Sequence, residues 1–474
     1  MSAARTPAVG GGERDLDAGM RRIGVLTVSA LAVLVAPPLY LLLDLAVVGR
    51  LGGDELAALA VATLVLSIIS TQLTFLSYGT TARSARRFGA GDRPGAIAEG
   101  VQASWIALGA GLLIIAVAWP IAPYVMRALV GQASASSGIV AADATQWVRV
   151  AVFGVPFILL SMAGNGWMRG VQETRLPVMY VVVGLSISAV LVICLVHGVW
   201  VFPRLGIVGS AVANVCGQTI TGALFVTQVV GQRWATRPVG DAAGGSRLAV
   251  FVPHRSMISA QLVMARDLIV RSLSFQICFI SAAAVAARFG VAQVAAHQLV
   301  LQLWEFMSLF LDSVAIAAQA LVGAALGARS VSVARSVARR VTVMSVLAAT
   351  LMAGVFAAGA SVLPRVFTSD TQVLEAIGVP WWFFVAMLPI AGVVFALDGV
   401  LLGSGDAAFL RTATLSAAVV GFLPLIWLSL AFDWGLAGVW SGLVVFMILR
   451  LAAVIWRVAS GRWHRLEARA ESAT

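Results

Sequence analysis

Lysine is absent from this sequence: all 32 basic residues are arginine. Charge of either sign is sparse, at 11% of residues against roughly 25% in a soluble domain, so the surface cannot all face water. Cysteine is limited to Cys194, Cys216 and Cys278, each inside an apolar run and without paired spacing. They read as small core residues, implying neither a disulfide framework nor a metal site. The sequence has no G-x-x-x-x-G-K-[ST] phosphate loop, which argues against ATP hydrolysis and for an ion gradient or a partner as energy source. No catalytic acid pair, metal cluster or loop nucleophile supports an enzyme, and no soluble sensing domain or extended loop supports a receptor. The arginines are scattered over short loops instead of forming one basic face, so nucleic acid is not an expected partner.

What the sequence does have is hydrocarbon. It is 60% hydrophobic with mean hydropathy +0.96, and its apolar runs are about 20 to 30 residues long, as spanning helices require. Twelve spans are expected: 23–49, 55–82, 96–124, 143–168, 176–200, 207–231, 257–288, 293–327, 333–361, 373–401, 408–431 and 436–457. The fold class is an all-α polytopic membrane protein whose structural partner is the lipid bilayer, in the plasma or inner membrane of the cell. Residues 1–22 are polar and glycine-rich, and disorder is expected there. Ile23 to Val48 stays apolar for longer than the 7–15 residues of a signal-peptide core, so it reads as a retained first span.

Arginine sets the orientation. With both termini cytoplasmic, the inner segments hold 23 arginines, from Arg5 through the Arg83–Arg93 and Arg329–Arg340 groups to Arg469. The outer ends hold six, Arg50, Arg127, Arg149, Arg204, Arg288 and Arg365. That bias favours a cytoplasmic amino terminus. Residues 232–256 combine proline, glycine and charge, and divide the spans six and six: an amino-terminal lobe (23–231), a linker (232–256), a carboxy-terminal lobe (257–457) and a cytoplasmic tail (458–474). The halves repeat one another. VGRLGGDELAALAV (Val48–Val61) aligns with AARFGVAQVAAHQL (Ala286–Leu299), RGVQET (Arg169–Thr174) with LGSGDA (Leu402–Ala407), and LGIVGSA (Leu205–Ala211) with WGLAGVW (Trp434–Trp440). The offsets are 238, 233 and 229 residues, nearly constant and in order. Parallel repeats of this kind place a working site near mid-membrane and alternate its access.

One carboxylate in an apolar helix organises the chemistry. Asp44 lies late in the first span, about 32 Å along the helix from Ile23 at 1.5 Å per residue. Pro37 and Pro38 leave the carbonyls of Val33 and Leu34 without helix donors, a kink that supplies partners for a proton, a cation or water. Tyr40 stands one turn before Asp44 and can share the network. An ionisable group in hydrocarbon is expensive, and its default meaning is functional. The competing reading is an interfacial Asp that hydrates the helix exit.

The second span carries a hydroxyl stripe, Thr63, Ser67, Ser70, Thr74, Ser77 and Thr81, on one helical face. It lines an amino-terminal cavity or lets helices pack closely, and both can hold at different depths. Asn165 with Ser161, and Asn214 with Gln218, are placed to join the same cavity. The eighth span presents Gln298, Gln302, Glu305, Asp312 and Gln319 in a row that lipid would not tolerate, so it is expected to point into a carboxy-terminal cavity. An internally satisfied polar network is the alternative. Asp267 and Arg271, four apart, read as a structural ion pair, while Arg266 and Arg450 are expected to snorkel. His297 reads as a satisfied hydrogen-bonder, and Asp406 in GSGD as a turn or cap residue.

These segments resemble the MATE (multidrug and toxic compound extrusion) transporters of the DinF-like subfamily. The resemblance rests on LLLDLAVVGRLG (Leu41–Gly52), MRGVQETRLP (Met168–Pro177), GIVGSAVAN (Gly206–Asn214), the stretch Ala296–Gly327 and LDGVLLGSGD (Leu397–Asp406). It implies two pseudo-symmetric six-helix lobes and efflux of small organic, often cationic, compounds against an inward H⁺ or Na⁺ gradient. A monomer with no cofactor beyond the coupling ion is expected. It also maps the family's coupling acid onto Asp44. Some members carry an Asn and an Asp in the fifth span; here those places fall near Val192 and Val196, which favours H⁺. A flippase of lipid-linked precursors is the alternative within the superfamily, and it would call for more membrane-embedded arginines.

Overall fold

The computed structural model describes residues 19–131, 136–235 and 251–464. The expectations for residues 1–18, for 236–250 of the linker and for 465–474 of the tail lie outside the described residues. Among the described residues, twelve helices are long and apolar enough to cross a membrane: Met20–Val48, Gly53–Gly89, Arg93–Val130, Ser137–Gly170, Arg175–His197, Ile207–Gln232, Arg255–Arg288, Val291–Gly327, Val331–Ala358, Thr371–Gly403, Ala407–Ala431 and Gly435–Ala459. They are numbered as spans one to twelve in that order. Helix begins earlier than expected at the amino end, so Met20, Arg21 and Arg22 belong to the first span. Helix also runs to Ala235 and resumes at Arg255, which trims the linker at both ends.

Local sequence explains the helix ends and interruptions. Asp92 caps the third span by accepting the Gly95 amide at 2.8 Å, with Pro94 in the first turn where no amide is needed. Asp370 caps the tenth through the amides of Gln372 and Val373. The second span breaks into Gly53–Gln72 and Phe75–Gly89, and the Thr74 hydroxyl at the break donates to the Thr71 carbonyl at 2.8 Å. In the eleventh span Pro424 has no amide to give, and the preceding Ala417–Phe422 widens into a π-helical turn. The first span remains one helix through Pro37 and Pro38.

The described residues form two compact units. The described residues of the amino-terminal unit fall within Ala32–Phe88 and Asp92–Ala265, and those of the carboxy-terminal unit within Met1–Leu31, Gly89–Gly91 and Arg266–Thr474. The amino-terminal core gathers Val48, Leu59, Met126, Trp147, Val192 and Val196. The carboxy-terminal core is richer in rings, with Trp381, Phe384, Phe422, Trp440 and Phe446 buried together.

Each unit is zipped by the same device. In the fourth span, a Cβ on Gly166 would stand 2.5 Å from the Ser77 carbonyl, and one on Gly170 would strike Ser84 at 2.6 Å. In the tenth span, a Cβ on Gly399 would strike the Ala315 backbone, and one on Gly403 would meet the Gln319 carbonyl at 2.6 Å. Gly166 and Gly399 are 233 residues apart and their partners Ser77 and Ala315 are 238 apart, the offsets of the sequence repeat. The duplication is therefore preserved in the packing: small residues four apart let two membrane helices touch backbone to backbone.

Candidate functional site

Asp44 is 1% exposed, enclosed in the amino-terminal unit. The sixth span brings Ser210, whose hydroxyl donates to Asp44 Oδ2 at 2.8 Å. The fourth brings Trp147, whose indole N–H donates to the Ser210 oxygen at 3.0 Å. Asp44 Oδ1 is buried with no protein partner. Tyr40, one turn earlier, is buried with Asp44, and its hydroxyl has no hydrogen-bond partner among the described residues. Ser210 and Trp147 were not singled out from sequence; Ser210 hides among small residues in GIVGSAVAN, and Trp147 in a run that reads as core.

Val192 and Val196 are fully buried in the core that also holds Trp147. Asn165 is nearly buried and Asn214 partly so, and the amide oxygen of each lacks a protein partner. The hydroxyl stripe divides by depth. Ser77 and Thr81 are buried, and the Thr81 hydroxyl reaches the Gly166 carbonyl at 3.1 Å, so this end is packing seam. Ser67 is exposed, and Ser70 and Thr74 partly so, leaving that end free to line a cavity.

In the carboxy-terminal unit the expected Asp267–Arg271 pair is not formed. Asp267 Oδ1 takes Arg411 at 2.6 Å and Arg266 at 2.9 Å, whereas Arg271 reaches Asp398 Oδ2 at 2.5 Å. Four-residue spacing permits a pair, but here each partner finds shorter geometry on another span. Arg450, expected to snorkel, is 2% exposed and donates to the same Asp398 oxygen, with its guanidinium 4.7 Å from the Phe275 ring centre. Asp406 stands at the N-cap position of the following helix, as a turn or cap residue does, but its carboxylate goes to Arg457 at 2.6 Å and makes no cap bond. His297 is fully buried beside Trp440, and neither ring nitrogen has a protein partner, so it is not the satisfied hydrogen-bonder expected.

The eighth-span row enters the interior of its unit at its carboxy-terminal end alone. Gln298, Gln302 and Glu305 are exposed, Asp312 is partly buried and Gln319 is buried. The row thus runs from the surface of its unit into its interior.

A second cluster, also unmarked in the sequence, centres on Glu99 in the third span. Arg83 grips it bidentately at 2.7 and 2.8 Å, and the Gln261 amide donates to it at 2.9 Å. One turn on, Gln102 accepts the His254 amide at 2.9 Å, and Trp105 donates to the Phe251 carbonyl at 2.7 Å. A cavity of about 580 Å³ between the third and fourth spans is lined by Arg127, Ser137, Thr145, Gln146 and Arg149 among others, and by none of the residues chosen from sequence. Among the described residues no three His, Cys, Asp or Glu side chains are grouped to hold a metal.

The MatE family model matches residues 30–194 and again 268–427, one match to each repeat. The chain is 31% identical over 435 residues to DNA damage-inducible protein F of Escherichia coli (strain K12), covering 89% of each chain. It is 29% identical over 323 residues to Protein DETOXIFICATION 42 of Arabidopsis thaliana, 67% of this chain and 58% of that protein. In three dimensions it matches an outward-facing multidrug resistance MATE family transporter at TM-score 0.78 and 20% identity, over 97% of this chain and all of the other.

Proposed function

This chain belongs to the MatE family, and we propose that it is a multidrug efflux antiporter that exchanges protons for small organic, chiefly cationic, compounds. It works as a monomer in the cell membrane, both termini cytoplasmic, by alternating the access of its binding site. The observation that carries this reading is Asp44: a membrane-buried carboxyl with one oxygen held by Ser210 and the other without a protein partner. Such a group can gain and lose a proton reversibly while keeping its place.

Proton rather than Na⁺ coupling is favoured by the neighbours. A hard cation needs several oxygen ligands, and the fifth span supplies Val192 and Val196 where a carboxylate and an amide would be required. A second cation at the Arg271–Asp398–Arg450 cluster is disfavoured, because two guanidiniums on Oδ2 already neutralise its carboxylate.

The test is efflux of ethidium from proteoliposomes under an imposed pH gradient, with and without Na⁺. Asp44→Asn is expected to abolish the pH-driven component. An Asp44→Asn protein with wild-type rate and pH response, or transport driven by Na⁺ alone, overturns the reading.

A further inference from the structure

The geometry points to Trp147 and Ser210 as a positioning pair that reserves one oxygen of Asp44 and makes Oδ1 the atom that carries the transported proton. This rests on the reading of Asp44 as the proton carrier. The chemistry follows from what each group can do. An indole N–H only donates, and a serine hydroxyl has a single proton to give. Trp147 fills one lone pair of Ser210 at 3.0 Å and fixes its oxygen, and among the described residues the acceptor within reach of the Ser210 hydroxyl hydrogen is Asp44 Oδ2 at 2.8 Å. A proton arriving at Oδ2 would meet the hydroxyl hydrogen head-on. Oδ1, buried and without a protein partner, has no such competitor.

The arrangement holds in both protonation states. With Asp44 ionised, Ser210 donates to a carboxylate oxygen. With Oδ1 protonated, Oδ2 is the carbonyl oxygen of the acid and still accepts. The carboxyl therefore keeps its position while its charge changes. Without Trp147, the hydroxyl could rotate and accept from a proton on Oδ2, and two protonated forms would compete.

The surroundings add little competing charge. Tyr40 is the titratable group that faces Asp44 from its own span. The fourth and sixth spans contribute Trp147 and Ser210, and the fifth contributes Ser188, Val192 and Val196. All three members of the relay are 1% exposed or less.

The experiment is the pH profile of ethidium efflux from proteoliposomes for the wild type, Ser210→Ala, Ser210→Thr, Trp147→Phe and Asp44→Asn. Removing a donor from a carboxylate disfavours its charged form, so Ser210→Ala is expected to move the midpoint about one unit to higher pH. Trp147→Phe moves it the same way by less, and Ser210→Thr restores it. Ser210→Cys keeps the core volume with a weaker donor, and is expected to fall between Ser and Ala. Midpoints unchanged in all four variants, with Asp44→Asn inactive, overturn the pair and leave the proton carrier standing. Asp44→Asn with wild-type transport and pH response overturns the carrier itself.

Discussion

Arg271 on the seventh span donates to Oδ2 of Asp398 on the tenth at 2.5 Å, across 127 residues of chain. Arg450 shares that oxygen, leaving Oδ1 of Asp398 and Nε of Arg271 buried without protein partners. Two guanidiniums on one carboxylate make the carboxylate the expensive member to lose. Asp398→Leu is expected to destabilise the protein by about 3–5 kcal/mol, because it strands the buried Arg450 and the partly buried Arg271. The triple replacement Asp398→Leu, Arg271→Met, Arg450→Met is expected to be the more stable protein. Thermal unfolding in detergent compares the two directly.

The glycine seams set a second expectation. Gly166→Leu and Gly399→Leu each force a side chain into a neighbouring backbone, at a cost of about 1–3 kcal/mol or more. Gly109→Leu, where a Cβ meets nothing within 4 Å, is expected to stay within about 0.5 kcal/mol of wild type. Melting temperatures of the three variants make the check.

Glu99 holds Arg83 and Gln261 together at 1% exposure. Glu99→Gln keeps the shape but replaces a bidentate charged partner with an amide that offers one acceptor. A loss of about 1.5–3 kcal/mol is expected. Arg83→Met combined with Glu99→Gln recovers part of it if the pair is coupled, and a double-mutant cycle measures how much.

The segment that leads into the seventh span is tied to the third. The His254 amide is held by Gln102, and the Phe251 carbonyl by Trp105. Gln102→Ala is expected to raise hydrogen exchange at the His254 amide about five- to tenfold, the loss of one hydrogen bond of roughly 1 kcal/mol. Mass spectrometry of a peptide covering 251–258 reads it.

The fifth span offers a test by gain. Val192→Asn with Val196→Asp supplies the oxygens the native core lacks, and Na⁺ stimulation of ethidium efflux is the expected outcome. A double variant that folds and stays blind to Na⁺ places the determinant of ion choice elsewhere.

Hydropathy located all twelve spans because a membrane helix declares itself over twenty residues at a time. The repeat was legible for a related reason: glycines and small residues recur where backbones touch, as at Gly166 and Gly399. Asp44 stood out as a charge in hydrocarbon. Its partners did not, because nothing in the local sequence relates Trp147 or Ser210 to residue 44. The same limit explains Asp267 and Arg271. A spacing of four names one available partner, whereas Arg411 and Asp398 become available only when distant spans pack. Glu99 escaped notice because its charge is offset by Arg83, sixteen residues earlier on another helix.

The glycine seams also govern what can move. Helices that meet through long side chains can slide, because rotamers absorb the displacement. Helices in main-chain contact have no such slack. Within each half of the molecule, spans two and four, and likewise eight and ten, are thus expected to travel as fixed beams, and the flexing demanded by a transport cycle falls on the elements around them.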